Sequence, residues 1–322
     1  MVRLNPRPDS ASSGKTKLIR LKTAWVACVC MLIWVCGTPA EELPRLAGRL
    51  AGGEFEYTIK RGDSFSSIGA RYGVEAAVLA RTNGLKLRAR LKPGQVLRID
   101  NRHIVPPELN DGILINLPQR MLFFFRNCEL IRHYPVGLGR PTWPTPRGGF
   151  QVLELREHPT WHVPKSIQHE MAMEGKVVKE EVPPGPDNPL GDYFIRLGTW
   201  SYGIHGTIAP LTIYGFRTHG CIRLHPDDAA ELFHLVKIGQ SGLIIYAPVL
   251  LAKLGDGRIF LEVHRDVYKK GMDAMTIIRG LADSNDIGNM IDWIEAQAVT
   301  DRREGLARDI TAKNHASMKG VK

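Results

Sequence analysis

The stretch Ile204–Leu224, which reads IHGTIAPLTIYGFRTHGCIRL, constrains this chain more than any other. His205 precedes Cys221 by sixteen residues, a distance that suits a strand, a loop and a returning strand that bring the two side chains face to face. A cysteine is a strong nucleophile only as a thiolate, which a nearby imidazole can generate. Gly220 removes a side chain just where backbone N–H groups could converge on an oxyanion. The stretch therefore predicts an acyl-transfer site.

Two plainer interpretations of these residues stay open at this point. A cysteine near a histidine is usually a buried apolar thiol. His205, His219 and Cys221 could instead provide three ligands to zinc, with one position left open. The chain has no CxxC or HExxH motif that would complete such a site. We therefore predict no metal and no organic cofactor.

The whole string favours the acyl-transfer site over these two plainer interpretations. HGT-x-x-P from His205, followed by THGCIRL, resembles the signature of the L,D-transpeptidases, also called the YkuD or ErfK/YbiS/YcfS/YnhG family. The spacing from His205 to Cys221 is unchanged. The resemblance implies that Cys221 is the nucleophile, and that His205 is the base that removes its proton and protonates the leaving amine.

The same resemblance gives supporting roles to neighbouring residues. Three of them are expected to support the loop and the oxyanion hole: Gly220, His219 and Gly206. Three more form the candidate substrate-binding set: Arg223, Thr218 and Tyr214. The N–H groups of Gly220 and Cys221 are expected to donate to the oxyanion. Arg223 would clamp a substrate carboxylate, with a surface ion pair as its alternative, and the bulky Tyr214 is expected near the groove.

The amino terminus carries an export signal. Thr23–Gly37 is an uncharged apolar run of fifteen residues after a basic leader. This is shorter than the ~20 residues of a membrane span but suits a signal-peptide core. Residues 1–40 are predicted to be a signal peptide cleaved after Ala40, with an uncleaved anchor as the alternative. The protein is then exported to the periplasm or cell envelope, and Cys128 is predicted to be unpaired because Cys221 must stay reduced.

Residues 54–100 predict a small strand–helix–helix–strand module. Ser64 is a good N-cap for a first helix that Gly73 ends. A second helix is predicted from about Val74 to Thr82, and a last strand at Gln95–Ile99.

This module resembles a LysM domain. The matching residues are Tyr57, Gly62-Asp63-Ser64, Ile68, Tyr72-Gly73, Asn83 and Leu91-Lys92-Pro93-Gly94-Gln95. The resemblance implies that the module binds the N-acetylglucosamine-containing glycan strands of peptidoglycan or chitin. The contacts are expected in the loops after the first strand and after the second helix.

Residues 111–247 predict a β-rich, sandwich-like catalytic domain. Apolar runs indicate strands, and Asn127-Cys128 occupies a hairpin turn where a type I′ geometry requires positive φ. The segment 159–191 has many Pro and Gly residues and little periodicity, so it is predicted to be a long ordered loop. Pro226 is expected to begin a helix with one apolar face.

Residues 248–322 form a C-terminal extension. Its predicted elements are a strand that ends at His264, a helix at Ile277–Ile294 and a flexible polar tail at Val299–Lys322. His264 is expected to be structural. The predicted fold class is α+β: a βααβ module, a β-rich sandwich-like domain and a short helical extension.

The distribution of Lys and Arg argues against a nucleic-acid partner. The chain has 43 Lys and Arg against 33 Asp and Glu, a net charge of +10, and half of that excess lies in the first forty residues. Because the remainder has no dense Lys/Arg run, we predict no nucleic-acid partner.

The resemblance predicts that Cys221 is acylated by peptidoglycan tetrapeptide stems with release of D-Ala. The acyl group would pass to an amine acceptor, which forms a 3–3 cross-link or attaches a lipoprotein. Two alternatives remain: a carboxypeptidase or hydrolase that uses the same thioester, and a non-catalytic LysM wall-binding protein.

Overall fold

A computed structural model describes residues 45–107, 109–198 and 202–313. These residues all belong to the compact unit that begins at Glu41. The predicted signal peptide, residues 1–40, lies outside the described residues. Among the helices that are described, none is both long and apolar enough to cross a membrane.

The N-terminal module, residues 54–100, has the predicted βααβ order. Its elements are strand β2 (Glu54–Thr58), helices α1 (Phe65–Tyr72) and α2 (Ala76–Thr82), and strand β3 (Val96–Asp100). Two short strands flank the module, β1 (Leu50–Ala51) before it and β4 (His103–Ile104) after it. Strand β2 pairs antiparallel with β3, and β1 with β4. Ser64 caps α1 through a bond from the Ser67 N–H (3.1 Å), and Gly73 ends that helix at φ +73°. The predicted helix signals are confirmed.

The central domain, residues 111–247, is built on one curled eight-stranded sheet in the order β15-β13-β12-β9-β16-β5-β6-β7. Its strands are β5 (Gly112–Asn116), β6 (Met121–Arg126), β7 (Glu129–Pro135), β9 (Gly148–Glu157), β12 (Tyr193–Leu197), β13 (Gly203–His205), β15 (Ile222–Arg223) and β16 (Ser241–Ile245). Two short strands outside it, β8 (Leu138–Gly139) and β14 (Phe216–Thr218), pair in parallel. Helix α4 (Pro226–Leu235) buries Ala229, Leu232 and Phe233 in the main core. The predicted α+β class is confirmed.

Cys128 lies in the two-residue turn between β6 and β7. Asn127 and Cys128 have φ of +52° and +64°, the positive pair that a type I′ turn requires. The Cys128 thiol is free and exposed. The predicted turn is thus present with a cysteine in a position that usually favours glycine.

The segment 159–191, which we call the insert, was expected to be a loop, and this prediction was wrong. It contains a ribbon of β10 (Trp161–His162) and β11 (Glu181–Val182), with helix α3 (Lys165–Met173) between the two strands. Asn188 closes its base, because its buried Nδ2 donates to the carbonyl of Pro159 at 2.7 Å. Helix α3 has no buried residue, so its sequence has no apolar periodicity from which a helix could be predicted.

The C-terminal extension is more structured than expected. Its elements are β17 (Val249–Lys253), β18 (Ile259–Val263), α5 (Ala274–Ser284), α6 (Trp293–Arg302) and β19 (Arg308–Asp309). The single predicted helix at 277–294 is two helices, because Asn285 ends α5 and Asp292 caps α6 through the N–H groups of the next turn. Residues 299–313, predicted to be flexible, form the end of α6 and the edge strand β19. The rest of the predicted tail lies outside the described residues.

A buried carboxylate joins all three parts. Glu262 of β18 accepts hydrogen bonds from four groups: His103 Nδ1 (2.8 Å), His264 Nε2 (2.7 Å), the Ile104 N–H (2.5 Å) and Gln119 Nε2 (3.1 Å). The second ring nitrogen of His103 lies 2.9 Å from the Gly73 carbonyl, at the end of α1. Acceptors therefore hold the His103 ring at both of its nitrogens. His264 has the structural role that was expected.

Candidate active site

The two predicted catalytic residues lie at neighbouring strands, His205 at the end of β13 and Cys221 just before β15. Strands β13 and β15 pair in parallel, with Ile204 opposite Ile222 and His205 opposite Arg223. Cys221 immediately precedes β15, and alternate residues of a strand share a face. Cys221, Arg223 and His205 therefore project from the same face of the sheet.

The imidazole of His205 is fixed by its own loop. Nδ1 lies 2.6 Å from the Gly206 carbonyl, which can only accept, so Nδ1 carries the proton of the neutral ring, and the backbone of Leu190 also hydrogen-bonds to the ring. Phe194 stacks on the ring at a centroid distance of 6.5 Å. Burial, and then the charge of Arg223, lower the pKa of His205 to about 4. The ring is thus neutral at pH 7 and able to accept a proton.

Cys221 is a free, partly buried thiol. Burial raises the pKa of the Cys221 thiol, and a backbone hydrogen bond at Gly203 and the nearby Arg223 offset only part of that rise. At neutral pH the resting site therefore holds a thiol beside a neutral imidazole. Such a pair generates the thiolate when the proton moves to the imidazole, in step with attack on a carbonyl.

The turn before Cys221 is held by Thr218. Its hydroxyl accepts from the Gly220 N–H at 3.1 Å and donates to the Cys221 carbonyl at 2.6 Å. Thr218 is buried, so its predicted place in the substrate-binding set is wrong: it shapes the turn. The Gly220 N–H is engaged in this bond, which leaves the Cys221 N–H as the candidate oxyanion donor.

Gly220 itself is required by geometry. Its φ is +107°, and a Cβ there would lie 2.5 Å from the ring of Tyr202. Thr145 supports the turn from outside, because its hydroxyl donates to the Gly220 carbonyl at 2.9 Å and accepts from the Gly139 N–H at 3.0 Å. The role of Thr145 was not predicted from the sequence, since 75 residues separate it from Gly220.

His219 connects the catalytic turn to the insert. Its Nε2 lies 2.7 Å from a carboxylate oxygen of Glu170 on α3 and 2.9 Å from a guanidinium nitrogen of Arg140. Glu170 also pairs with Arg140, and the ring of Trp143 packs edge-on against His219 at 5.3 Å. His219 thus contacts Glu170, Arg140 and Trp143, three residues that carried no signal in the sequence, and its role in supporting the loop stays a prediction.

Arg223 interacts electrostatically with both His205 and Cys221 and contacts the 3-10 helix Pro210–Thr212. One terminal nitrogen is 3.3 Å from the Thr212 hydroxyl, and the buried Nε has no hydrogen-bond partner among the described residues. A guanidinium with free donors beside the thiol suits a substrate carboxylate.

Tyr214 does not lie in the groove, so its predicted substrate contact is wrong. Its side chain is 6% exposed and has the guanidinium carbon of Arg120 4.0 Å above the ring. Its φ of +57° is a left-handed conformation, and its carbonyl accepts from Arg120 at 3.1 Å. Tyr214 therefore packs the loop between the catalytic residues onto the core.

A cavity of about 420 Å³ opens beside the His205 loop. Its walls come from the base of the insert, the residues after His205 and the start of α4; they include Gly185, Pro186, Gly191, Tyr193, Thr207 and Pro226. A Cβ on Gly191 would lie 3.2 Å from the Thr207 N–H, so glycine allows the insert to approach this closely. Neither His205 nor Cys221 is among the residues that line this cavity.

Among the described residues, His103, Glu262 and His264 place potential metal-ligand atoms within 4.8 Å of one another. All three side chains are buried, and Glu262 Oε1 already accepts from both imidazoles. We assign this cluster to the hydrogen-bond network around Glu262 that joins the three parts.

Comparison with known proteins gives two family matches. Residues 110–250 match the YkuD family model, described as the L,D-transpeptidase catalytic domain, and residues 57–100 match the LysM domain.

Curated relatives match over most of the chain. It is 30% identical over 285 residues to the probable L,D-transpeptidase ErfK/SrfK of Salmonella typhimurium, covering 84% of this chain and 90% of the relative. The Escherichia coli K12 protein of the same name is 31% identical over 281 residues, with coverages of 84% and 90%. The probable L,D-transpeptidase YbiS of E. coli K12 is 30% identical over 254 residues, with coverages of 76% and 82%.

Proposed function

This chain belongs to the L,D-transpeptidase (YkuD) family of enzymes, and we propose that it forms a thioester at Cys221 with peptidoglycan tetrapeptide stems and transfers the acyl group to an amine. The observation that carries the proposal is the shared face of Cys221 and His205 on paired strands, with Nδ1 of His205 held by the Gly206 carbonyl. In the proposed reaction Nε2 is the nitrogen that accepts and returns the proton.

The first half-reaction forms the thioester. The Cys221 thiol gives its proton to His205 Nε2 as sulfur attacks the carbonyl of the third stem residue. The C–N bond to D-Ala then breaks, and the leaving amine takes the proton from His205, so the imidazole returns to its neutral state.

The second half-reaction reverses these roles. An amine of another stem, or of a protein to be attached, attacks the thioester and loses its proton to His205. The C–S bond breaks, and that proton returns to sulfur, so the free thiol is restored. Across the two half-reactions every proton and bond is accounted for by Cys221, His205 and the two substrates.

Two groups would support the transition states. The Cys221 N–H would donate to the oxyanion, a contribution of ~3 kcal/mol per donor in comparable sites. Arg223 would bind a stem carboxylate through the free donors of its guanidinium. We also propose that the N-terminal module binds the glycan strand, and that residues 1–40 direct export to the periplasm, where peptidoglycan is found.

The test is a product analysis with a disaccharide-tetrapeptide, with and without an added amine acceptor. The account predicts D-Ala release and an amine-linked product, both lost in Cys221→Ala and His205→Ala. Cys128→Ala, which removes the exposed thiol in the hairpin turn, is the matched control and should retain both. Release without any transfer product would instead identify a carboxypeptidase, and no release with any acceptor would favour a wall-binding protein.

A further inference from the structure

Two loops of the N-terminal module form a cationic surface. It consists of six exposed side chains, which we call the basic rim: Lys60, Arg61, Lys86, Arg88, Arg90 and Lys92. In residues 85–92, Leu85, Ala89 and Leu91 pack against the core of the module, whereas Leu87 is exposed together with the cations. The cations between them therefore point to solvent.

The two loops belong to one surface. The Gly94 N–H donates to the Ile59 carbonyl at 2.9 Å, and the Ile59 N–H donates to the Gln95 carbonyl at 2.8 Å. These bonds place Lys60 and Arg61 next to the end of the second loop.

The basic rim differs from the other arginines of this region, which are paired. Four such pairs are Arg71–Asp228 (2.8 Å), Arg81–Glu304 (2.5 Å), Arg98–Glu54 and Arg102–Asp100 (2.9 Å). Within the described part of the chain, the side chains of the basic rim have no carboxylate partner within ion-pair distance. The acid in these loops, Asp63, is held by the Tyr57 hydroxyl and the Lys60 N–H, each at 2.7 Å.

An uncompensated cluster of like charges repels itself and attracts polyanions. The rim surrounds the loops in which a LysM domain contacts glycan, but the N-acetylglucosamine backbone of such a strand is uncharged. The groups that supply negative charge along a peptidoglycan strand are the carboxylates of its peptide stems. Mobile Lys and Arg tips suit stems that leave the strand at varying positions.

We propose that the basic rim recognises the carboxylates of peptide stems, so that this module prefers glycan strands with intact stems to bare glycan. The proposal rests on the proposed function, in which stem-bearing strands are the substrate. The rim would thus select strands that carry reactive stems and deliver them to the domain that holds Cys221.

The test compares the binding of soluble glycan oligomers with intact stems and of N-acetylglucosamine oligomers of equal length, which carry no carboxylate and serve as the bare glycan. It uses the full protein and Arg88→Gln/Arg90→Gln/Lys92→Gln. The matched control is Lys237→Gln/Lys253→Gln/Lys269→Gln, which removes three exposed cations outside the module.

We expect the rim variant to bind stem-bearing glycan about tenfold more weakly at low salt, and the difference should shrink as salt rises. Its binding of bare glycan, its melting temperature and its activity on a disaccharide-tetrapeptide should match those of the control. Equal affinity of the unmodified protein for both glycans would overturn the proposal, as would an unchanged rim variant.

A further measurement compares the binding of the unmodified protein and the rim variant to vesicles that contain anionic phospholipid. If the rim variant loses vesicle binding while both glycans bind equally, the surface recognises phosphate and the proposal is wrong. Because the activity assay uses a soluble substrate, either failure would leave the proposed reaction at Cys221 standing.

Discussion

At the scale of single residues, the protonation of Cys221 and His205 decides how the nucleophile forms. Burial raises the pKa of the thiol and lowers the pKa of His205 to about 4. Both groups are therefore neutral near pH 7, and the resting site contains little thiolate. A site with a preformed thiolate–imidazolium pair would have the opposite arrangement, with a lowered thiol pKa and a raised imidazole pKa.

Alkylation by iodoacetamide, followed by peptide mapping of Cys221, measures this state. Since the thiolate is the reactive form, the rate should rise about tenfold per pH unit between pH 6 and 8. His205→Ala should keep the same slope. A rate at Cys221 that stays constant over this range would show a preformed thiolate and contradict the neutral resting pair.

Residue-level expectations follow from the sequence where local geometry dictates a residue type, and the roles assigned to those residues stay predictions. Gly220 requires a positive φ, and His205 and Cys221 require a strand and a return of fixed length. They failed for Tyr214 and Thr218, because neighbours distant in sequence decide whether a side chain lines a groove or faces the core. Arg120, which covers Tyr214, is 94 residues away in the chain.

At the scale of elements, the insert is attached to the catalytic turn through one helix. Helix α3 is bound to His219 by Glu170, at 2.7 Å, and buries no side chain of its own. Its position therefore depends on this polar contact and on the base of the insert. An element with few buried apolar contacts opens at low free-energy cost.

Glu170→Gln should loosen α3, since the amide loses the charge that attracts His219 and Arg140. Hydrogen–deuterium exchange of Lys165–Met173 should then become faster, while the exchange of α4 stays unchanged. Glu174→Gln is the matched control, because Glu174 lies at the end of the same helix and pairs with Lys176. Identical exchange in Glu170→Gln and the unmodified protein would show that the contact does not hold the helix.

Elements were predictable where caps and periodicity agree, as in α1, which Ser64 begins and Gly73 ends. Helix α4 also followed its pattern, with proline at its first turn and one apolar face. Helix α3 could not be predicted, because its stabilising partners come from the loop around His219 rather than from its own sequence. The break between α5 and α6 coincides with Asp286 at φ +51°, a conformation that no residue pattern indicated.

At the scale of the whole molecule, the N-terminal module, the central domain and the C-terminal extension meet at Glu262. Leu306 of the extension also packs into the core of the N-terminal module, and Arg71 of that module pairs with Asp228 of α4 at 2.8 Å. The extension therefore fixes the module against the central domain. The polar sequence at the end of the extension did not indicate that this segment packs against the N-terminal module.

Glu262→Gln should destabilise the protein by about 3–5 kcal/mol, because it removes the buried carboxylate that His103, His264 and the Ile104 N–H all contact. Differential scanning calorimetry measures this loss. Glu54→Gln is the control: Glu54 pairs with Arg98 and Arg102 at a partly exposed site, so it should cost less than about 1 kcal/mol. Equal melting temperatures for Glu262→Gln and Glu54→Gln would contradict this role of the buried carboxylate.

The same carboxylate predicts part of the pH dependence. Burial alone would raise the pKa of Glu262, but the interactions with His103 and His264 outweigh it and lower this pKa to about 2. The stability that the carboxylate contributes is therefore fully present above its ordinary pKa of 4.5 and is lost as pH falls towards 2. The pKa values of His205 and His133 are lowered to about 4, so these residues destabilise the fold as pH falls from 6.5 to 4. Melting temperature should decrease over both intervals, and Glu262→Gln should weaken only the lower one.

The central claim is that Cys221 carries the acyl group, and intact-protein mass spectrometry after rapid acid quench tests it most directly. The protein is mixed with a disaccharide-tetrapeptide in the absence of an amine. The account predicts a mass increase equal to the substrate minus D-Ala, mapped to the peptide that contains Cys221, present in Cys128→Ala and absent in Cys221→Ala. D-Ala release that persists in Cys221→Ala, or an adduct that maps to Cys128, would contradict it.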